Sequence, residues 1–510
     1  MAYDQSYRPV YNVLAMSYYD LPYYLKPCFL HLGNFPENYE IYAKKLYRMW
    51  IAEGIIASPI DRTLGKISLE QKAQYCLNEL VEKYMVQVKK VGSKGRIKTC
   101  CLHNLIREVC LDIGKEENFI CMMDLNQTNQ NEPLLELNKR LRRLAIYIGE
   151  KANASLPKFL FKKASKIRSL LFFFDQDYEQ LHCSRLRSVC NEFQLLRVLD
   201  LNGYNIKGSL PKEIKNLIYL RFLSLNRTRV TKVSSSIGYL GFLETLDLRV
   251  FHVVVTLPNV LWKLRQLKHL YFPSREVSTK QGYVIKRGEM MRLDGLQYLE
   301  TLKNVDMDRV EFEGLNELKN MRKLTISRVS KKKNLDPFLK SSSIKHLSLE
   351  IDGSIVSENP EILSNCHPLH RLVINNGIHG PLRLEMFPKN LLRIELFNCE
   401  VGNDPMLVFE RLPRLENLKL ENCYGGTEME CSAGGFTKLT ELAIINLSNL
   451  REWKVGAGAL PNLKSIFILS SSNLVLPDVL PRDVEIYCNP CVKGIERYNW
   501  RCPYNLEQSE

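Results

Sequence analysis

A chain of 510 residues is too long for one ordinary core, and 45% hydrophobic with 25% charged residues is the balance of a folded protein, not a disordered one. Residues 1–16 contain no apolar stretch of signal-peptide length, and no uncharged run of about 18 residues occurs anywhere, which predicts a cytoplasmic protein without a membrane span. The net charge is +15, and fifteen cysteines without close regular spacings read as reduced, mostly buried thiols.

The first 125 residues carry helical periodicity. Ser68 followed by Gln71 is a capping-box pattern, and Ala73, Leu77, Leu80, Val81 and Tyr84 then recur on one helical face. The segments 86–91 and 96–102 around Gly92-Ser-Lys-Gly95 predict a hairpin, and a further helix is expected from about His103 to Glu116. Several helices with one small hairpin describe a small, mainly α winged-helix domain over 1–125.

Charge is uneven along the chain. Residues 136–290 hold 28 Lys and Arg against 12 Asp and Glu, whereas the flanking segments are close to neutral. The block suits an acidic protein partner, an acidic surface within the same molecule, or a polyanion such as nucleic acid; a merely solvated face is the plain alternative. Arg140, Arg142, Arg143, Lys162 and Lys163 are its candidate intramolecular patch.

From residue 126 the frame Leu-x-x-Leu-x-Leu recurs, with other apolar residues substituting. Clear units start at Leu196, Leu220, Leu243, Leu267, Leu299, Met321, Ile344, Leu369, Leu391, Leu415, Leu439 and Leu463, and weaker ones at Leu141 and Ile167. One short strand per unit points its Leu inward, and no unit buries that face until neighbours stack on it. The fold class is therefore α/β: a leucine-rich-repeat solenoid of about 14 units with a curved parallel sheet over 126–485. Thr228, Cys399 and Cys423 take the small inward site after the third apolar position. The 32-residue spacing after Leu267 is read as an insertion at 275–288 that loops off one face.

Residues between the inward Leu positions face the concave side by strand alternation. That makes His269, Tyr271, Lys323, His346, Arg371, Arg393 and Lys419 the candidate ligand surface. The end, 486–510, reads as a cap or tail. Its Cys488-Asn-Pro-Cys491 has no second close pair, so no metal is assigned.

Three stretches carry a resemblance: Leu21-Pro-Tyr-Tyr-Leu-Lys-Pro-Cys-Phe-Leu30, Asn34-Phe-Pro-Glu-Asn38 and Leu46-Tyr-Arg-Met-Trp-Ile-Ala-Glu-Gly54. They resemble successive motifs of the winged-helix subdomain in plant nucleotide-binding leucine-rich-repeat disease resistance proteins of the coiled-coil class. Leu102-His-Asn-Leu-Ile-Arg107 is similar to the Met-His-Asp motif of that subdomain, with Asn104 where the family usually has Asp. The resemblance covers roughly 12–120, and the repeats follow in the family's order. It implies the recognition and autoinhibition part of an intracellular immune receptor, binding a pathogen effector or a host protein the effector modifies and contacting a receptor's nucleotide-binding domains. It also implies that His103 faces the phosphates of ADP or ATP in an intact receptor.

The family's phosphate loop, Gly-x-x-x-x-Gly-Lys-Ser/Thr, does not occur in this sequence, so the chain is expected to be a truncated receptor, a fragment or an incomplete gene product, without a cofactor of its own. No catalytic signature appears, and no enzyme is expected. Two other readings compete: an intracellular repeat adaptor such as a ubiquitin-ligase substrate receptor, and a nucleic-acid-binding winged-helix protein. The first lacks its helical motif before the repeats. The second lacks a basic stripe on the winged helix.

Overall fold

The computed structural model describes residues 8–57, 67–91, 96–124, 141–148, 166–174, 181–182 and 186–203. Between 206 and 501 it describes all but 252, 274–281, 312–317, 329–343, 353–365, 367, 472–473, 482, 489–491 and 496–497. The chain divides into two compact units, 1–299 and 300–510.

The first unit opens with helices α1 (Arg8–Tyr19) and α2 (Lys26–Leu32), strand β1 (Ile41–Tyr42), and helices α3 (Ala43–Glu53) and α4 (Leu69–Glu82). Strands β2 (Gln87–Val91) and β3 (Ile97–Cys101) form the hairpin, and α5 (Asn104–Glu116) follows. β1 pairs with β3 to complete a three-stranded sheet. Ser68 caps α4 in a full capping box: its hydroxyl accepts the Gln71 N–H while Gln71 returns its side-chain oxygen to the Ser68 N–H. Of the expected apolar stripe, Ala73, Leu77 and Leu80 are buried and Val81 is half-buried, whereas Tyr84 lies past the end of α4 and is exposed, because the helix stops at Glu82 before the face can continue.

The parallel inner sheet of this unit runs through β4 (Cys121–Asp124), β5 (Arg143–Ile148) and β6 (Ser169–Phe174), with β7 (Leu181–His182) starting a second sheet. Inner and outer strands then alternate: β8 (Val198–Asp200), β9 (Ile206–Ser209), β10 (Phe222–Ser224), β11 (Arg229–Lys232), β12 (Thr245–Asp247), β13 (Val254–Leu257) and β14 (His269–Tyr271). Each inner strand begins two residues after a Leu that the frame predicted, and those Leu are fully buried. Thr228 is buried with its hydroxyl donating to the Leu225 carbonyl at 2.7 Å.

The insertion after Leu267 differs from expectation. Its residues 275–281 lie outside the described set, but β15 (Gly282–Ile285) adds to the outer sheet beside β13 instead of looping away. Alternation explains this: Tyr283 and Ile285 turn inward and are buried, while Val284 stays exposed.

In the second unit the inner strands are β16 (Thr301–Asp306), β17 (Lys323–Arg328), β18 (His346–Asp352), β19 (Leu369–Asn375) and, after the short outer strand β20 (His379–Gly380), β21 (Arg393–Phe397). Outer β22 (Glu400–Val401), inner β23 (Asn417–Glu421), outer β24 (Glu428–Cys431), inner β25 (Glu441–Ile445), outer β26 (Glu452–Val455) and inner β27 (Ser465–Leu469) follow. Cys399 and Cys423 are buried. The parallel ladder continues past 485 through β28 (Glu485–Cys488) and β29 (Asn499–Arg501), so the segment expected to be a cap or tail carries two more strands. The frame hid β28 because Asp483 stands where the first inward Leu belongs, while Ile486 and Cys488 still point inward. β4 escaped for a similar reason: its register with β5 puts Asn118 where the first inward Leu belongs and Cys121 and Met123 at the next two inward places.

Candidate functional site

The concave face of the first unit is not open. Its two columns of outward side chains contain Ser169, Val198, Phe222, Thr245 and His269 in one, and Ala145, Leu171, Asp200, Ser224, Asp247 and Tyr271 in the other. All of these are buried. The winged helix covers them, and Ala145, Leu171, Phe173, Val198 and Phe222 share one hydrophobic core with Leu46, Met49, Trp50 and the rest of that domain. An apolar side chain of this size contributes about 2 kcal/mol when fully removed from water.

Phe173 is the aromatic centre of the seat. Its ring lies 5.6 Å from Phe35, 5.4 Å from Tyr39 and 5.2 Å from Tyr147. The Tyr147 hydroxyl donates to the Asn34 carbonyl at 2.8 Å, and Arg107 Nε donates to the Phe35 carbonyl at 2.8 Å. Asn226 donates to Asn202 at 2.8 Å, and Asn202 donates to the Tyr39 hydroxyl at 3.2 Å, extending the contact along the repeats.

Helix α3 supplies the charges. Glu53, almost fully buried, accepts a hydrogen bond from Arg143 Nε, and its other oxygen lies 3.3 Å from Nε2 of the buried His31. Burial alone would raise its pKa, but Arg143 and then His31 outweigh burial and hold the carboxyl at about 2. Lys45 Nζ lies 2.5 Å from Asp200 Oδ2. Burial works to lower the lysine, and the Asp200 charge overcomes it to keep Lys45 above the ordinary lysine value. Arg48 donates to the Tyr271 hydroxyl, and its Nε is 3.4 Å from Glu70 Oε1, the same oxygen that lies 3.3 Å from His269 Nε2.

Helix α3 ends beside a further cation. Gly54 takes the left-handed conformation at φ +84°, returning its N–H to the Ile51 carbonyl at 3.0 Å, while Arg197 Nη1 donates to the Glu53 carbonyl at 2.9 Å. A guanidinium here meets the negative end of the helix dipole.

These contacts revise the candidate residues. His269 and Tyr271 lie on the concave face, as their frame positions require, but the winged helix buries them, which corrects their assignment to an open ligand surface. Arg143 was grouped with a patch facing other domains. Instead it is tied to Glu53 within its own unit. Arg140, Lys162 and Lys163 lie outside the described residues.

Arg142 is exposed and begins a stack that the sequence reading overlooked. Arg168, Arg197 and Arg221 repeat its place in successive units, joined by backbone hydrogen bonds of 2.7, 2.7 and 2.8 Å between neighbours. Burial first, and then the adjacent guanidinium groups, pull Arg168 and Arg197 below the ordinary arginine value. The signal was present in Leu141-Arg142, Ile167-Arg168, Leu196-Arg197 and Leu220-Arg221.

In the second unit Lys323, His346, Arg371, Arg393 and Lys419 stand on concave strands and are at least partly exposed. The structure brings Arg371 and Arg393 together on Glu395, at 2.8 and 2.6 Å. The His346 and His370 rings lie 4.8 Å apart. Lys419 pairs with Glu421 at 2.7 Å and covers the Phe397 ring at 4.6 Å.

His103 is the exposed N-cap of α5, its Nδ1 accepting the Leu105 N–H at 3.4 Å. Among the described residues no group of three or more His, Cys, Asp or Glu side chains is placed to hold a metal ion, and no helix is long and apolar enough to cross a membrane.

Comparison with known proteins gives two family matches: "Leucine-rich repeat region" over residues 166–474 and "Disease resistance protein Winged helix domain" over 35–110. The chain is 31% identical over 448 residues to "Probable disease resistance protein RXW24L" of Arabidopsis thaliana, covering 85% of this chain and 46% of that relative. It is 32% identical to "Disease resistance protein RPP8" of the same plant, covering 86% and 46%. Among solved structures, the leucine-rich-repeat ectodomain of the plant membrane receptor kinase GASSHO1/SCHENGEN3 from Arabidopsis thaliana aligns with TM-score 0.42 and 16% identity, covering 74% of this chain and 50% of that one. The chain spans about half the length of the curated relatives it matches. It belongs to the leucine-rich-repeat family and carries, ahead of its repeats, the winged-helix domain of plant disease resistance proteins.

Proposed function

We propose that the chain is the recognition and autoinhibition part of an intracellular plant immune receptor, which mediates defence by binding a pathogen effector, or a host protein that the effector modifies, through its repeats. It acts in the cytoplasm and works by binding, not by catalysis. The observation that carries this reading is the seating of the winged helix on the concave face of the early repeats through Glu53 with Arg143 and Lys45 with Asp200. Repeats joined this closely to the winged helix can pass a displacement on to it, because packed interfaces shift between discrete arrangements rather than deform smoothly.

The arginine stack, with Arg142 exposed and Arg168, Arg197 and Arg221 half-buried, is suited to an acidic surface on a receptor's nucleotide-binding domains. Repulsion between the stacked guanidinium groups is relieved when an acidic partner neutralises them. The chain itself needs no cofactor. In a complete receptor holding ADP or ATP, His103 fits a place facing the phosphates: it is exposed, and the engagement of Nδ1 with Leu105 leaves Nε2 available.

The test is expression in leaves beside the separate nucleotide-binding half of a related receptor whose unrestrained activity kills cells. The chain should suppress that death, and Arg142→Glu with Arg168→Glu should release it. Cell death unaffected by the chain would overturn the autoinhibitory reading.

A further inference from the structure

Apolar side chains on a concave repeat face have a known fate in the first unit. Leu171, Phe173, Val198 and Phe222 are all covered by protein, and the cover brings Lys45 to the acid Asp200 at the edge of the patch. In the second unit the concave columns turn apolar again toward the last repeats. Register stacks Lys419, Ala443, Phe467, Tyr487 and Arg501 in one column and Glu421, Ile445 and Leu469 in the next, so that the apolar stretch lies between two cations along its own column.

The Phe467 and Tyr487 rings stack at 4.7 Å with planes 8° apart, and both side chains are partly exposed, as are Ile445 and Leu469. Ala443, the smallest side chain of its column, stands beside Phe467. Acids border the patch. Glu441 and Glu485 are exposed on the adjoining column, the latter accepting the Tyr487 hydroxyl at 2.7 Å, and Glu421 stands on the far side, paired with Lys419.

We propose that this part of the concave face, over β23, β25, β27 and β28, docks an apolar segment of a protein ligand that carries lysine or arginine. Aliphatic or aromatic side chains rest on Phe467, Tyr487, Ile445 and Leu469, and the cations meet Glu441 and Glu485. The stacked aromatic pair supplies the energetic anchor, since large rigid rings lose little entropy on contact. The acids at the border select the sign of the partner and steer its approach. Arg371 and Arg393 contribute less, because they share the buried Glu395. The placement rests on the reading of the repeats as a ligand-binding surface, and moves the binding energy away from the arginines.

Short random peptides displayed on phage, selected on the full chain and then synthesised, provide the test. The expected winners combine Lys or Arg with aromatic or large aliphatic residues. Their binding should weaken by about tenfold or more with Phe467→Ser, and likewise with Glu441→Lys plus Glu485→Lys. Phe467→Tyr, which keeps the ring, should retain it, as should Arg393→Glu; unchanged thermal unfolding identifies variants that remain folded. Acidic winners that Arg371→Glu and Arg393→Glu abolish and the glutamate reversals spare would overturn this placement while keeping the repeats as a binding surface. Winners indifferent to every concave substitution would overturn both.

Discussion

Lys45 of the winged helix and Asp200 of the repeats meet at 2.5 Å, with the carboxylate side chain 1% exposed and the lysine 20%. Removing one member of such a pair strands the other charge away from water. Asp200→Ala should therefore destabilise the first unit by about 3 kcal/mol, more than deletion of a surface ion pair would cost. Thermal unfolding should move down by roughly 6 °C. The double variant Lys45→Met with Asp200→Leu should recover most of the loss, since it removes both charges and leaves apolar volume. A single variant as stable as the parent chain would mean that Lys45 finds water when its partner is gone.

Glu53 makes stability depend on pH in a defined direction. Its folded carboxyl is held at about 2, below the value of about 4.3 for an unfolded glutamate. A depressed acid stabilises the fold fully above its unfolded value, and that stabilisation disappears as pH falls through the folded one. The contribution, about 3 kcal/mol at neutral pH, should fade between about pH 4.3 and pH 2. Denaturant titrations of the parent and of Glu53→Gln, repeated at several pH values, should show a gap that narrows across this window. A gap of constant size would indicate that packing, not ionisation, sets the cost.

Much of this fold could be read from the residues because its signals are local and repeated. Leu220, Leu243 and Leu267 announce their strands by spacing alone, and Ser68 with Gln71 marks a helix start within four residues. The seat of the winged helix was not legible, because Lys45 and Asp200 are 155 positions apart and no local pattern joins them. Strand alternation placed His269 and Tyr271 on the concave face, but it cannot tell whether another part of the chain covers that face. Arg143 carried a related error: charge counting marked it as a free cation, while its fate depended on a single distant acid, Glu53.

Gly54 tests how the end of α3 is held. Its left-handed backbone is strained for any L side chain, and an added Cβ would stand 3.3 Å from Arg197 Nη1. Gly54→Ala should cost about 1 kcal/mol. It should also loosen the bond from Arg197 to the Glu53 carbonyl, so that Gly54→Ala and Arg197→Ala together cost less than the sum of the two alone. Strict additivity in a double-mutant cycle would separate the cap from the arginine.

Nucleotide binding offers a prediction of a different kind. With no phosphate-loop motif in the sequence and His103 at an exposed helix start, the chain should bind neither ADP nor ATP tightly. Calorimetry with each nucleotide measures this directly. A dissociation constant near or below about 1 μM, equivalent to roughly −8 kcal/mol, would reveal a site that the sequence does not display.

The arginine stack permits the sharpest test of partner choice. Arg142 and Arg168 lie on adjacent repeats at the spacing of neighbouring parallel strands, about 4.8 Å, and continue toward Arg197 and Arg221. Part of this charge is already engaged: Arg197 holds the Glu53 carbonyl, and Arg221 lies 3.6 Å from Glu244. Arg142 and Arg168 make neither of these contacts and are thus the members to reverse; Arg168 also feels the Glu53 charge, so unchanged thermal unfolding of the variant is the check that the winged helix stays seated. If the stack receives an acidic surface of a receptor's nucleotide-binding half, that half, expressed separately from a relative, should associate with this chain at low salt. The association should weaken steeply as salt rises, because screening shortens the reach of exposed charges from about 10 Å at 0.1 M to about 3 Å at 1 M. Arg142→Glu with Arg168→Glu should lower affinity about tenfold or more at low salt and flatten the salt dependence, since the charges that salt would screen are gone. Arg411→Glu with Arg414→Glu, in the second unit, should change neither. Association indifferent to salt and to the first pair of reversals would falsify the electrostatic clamp, and the stack would then serve a partner of another kind or solubility alone.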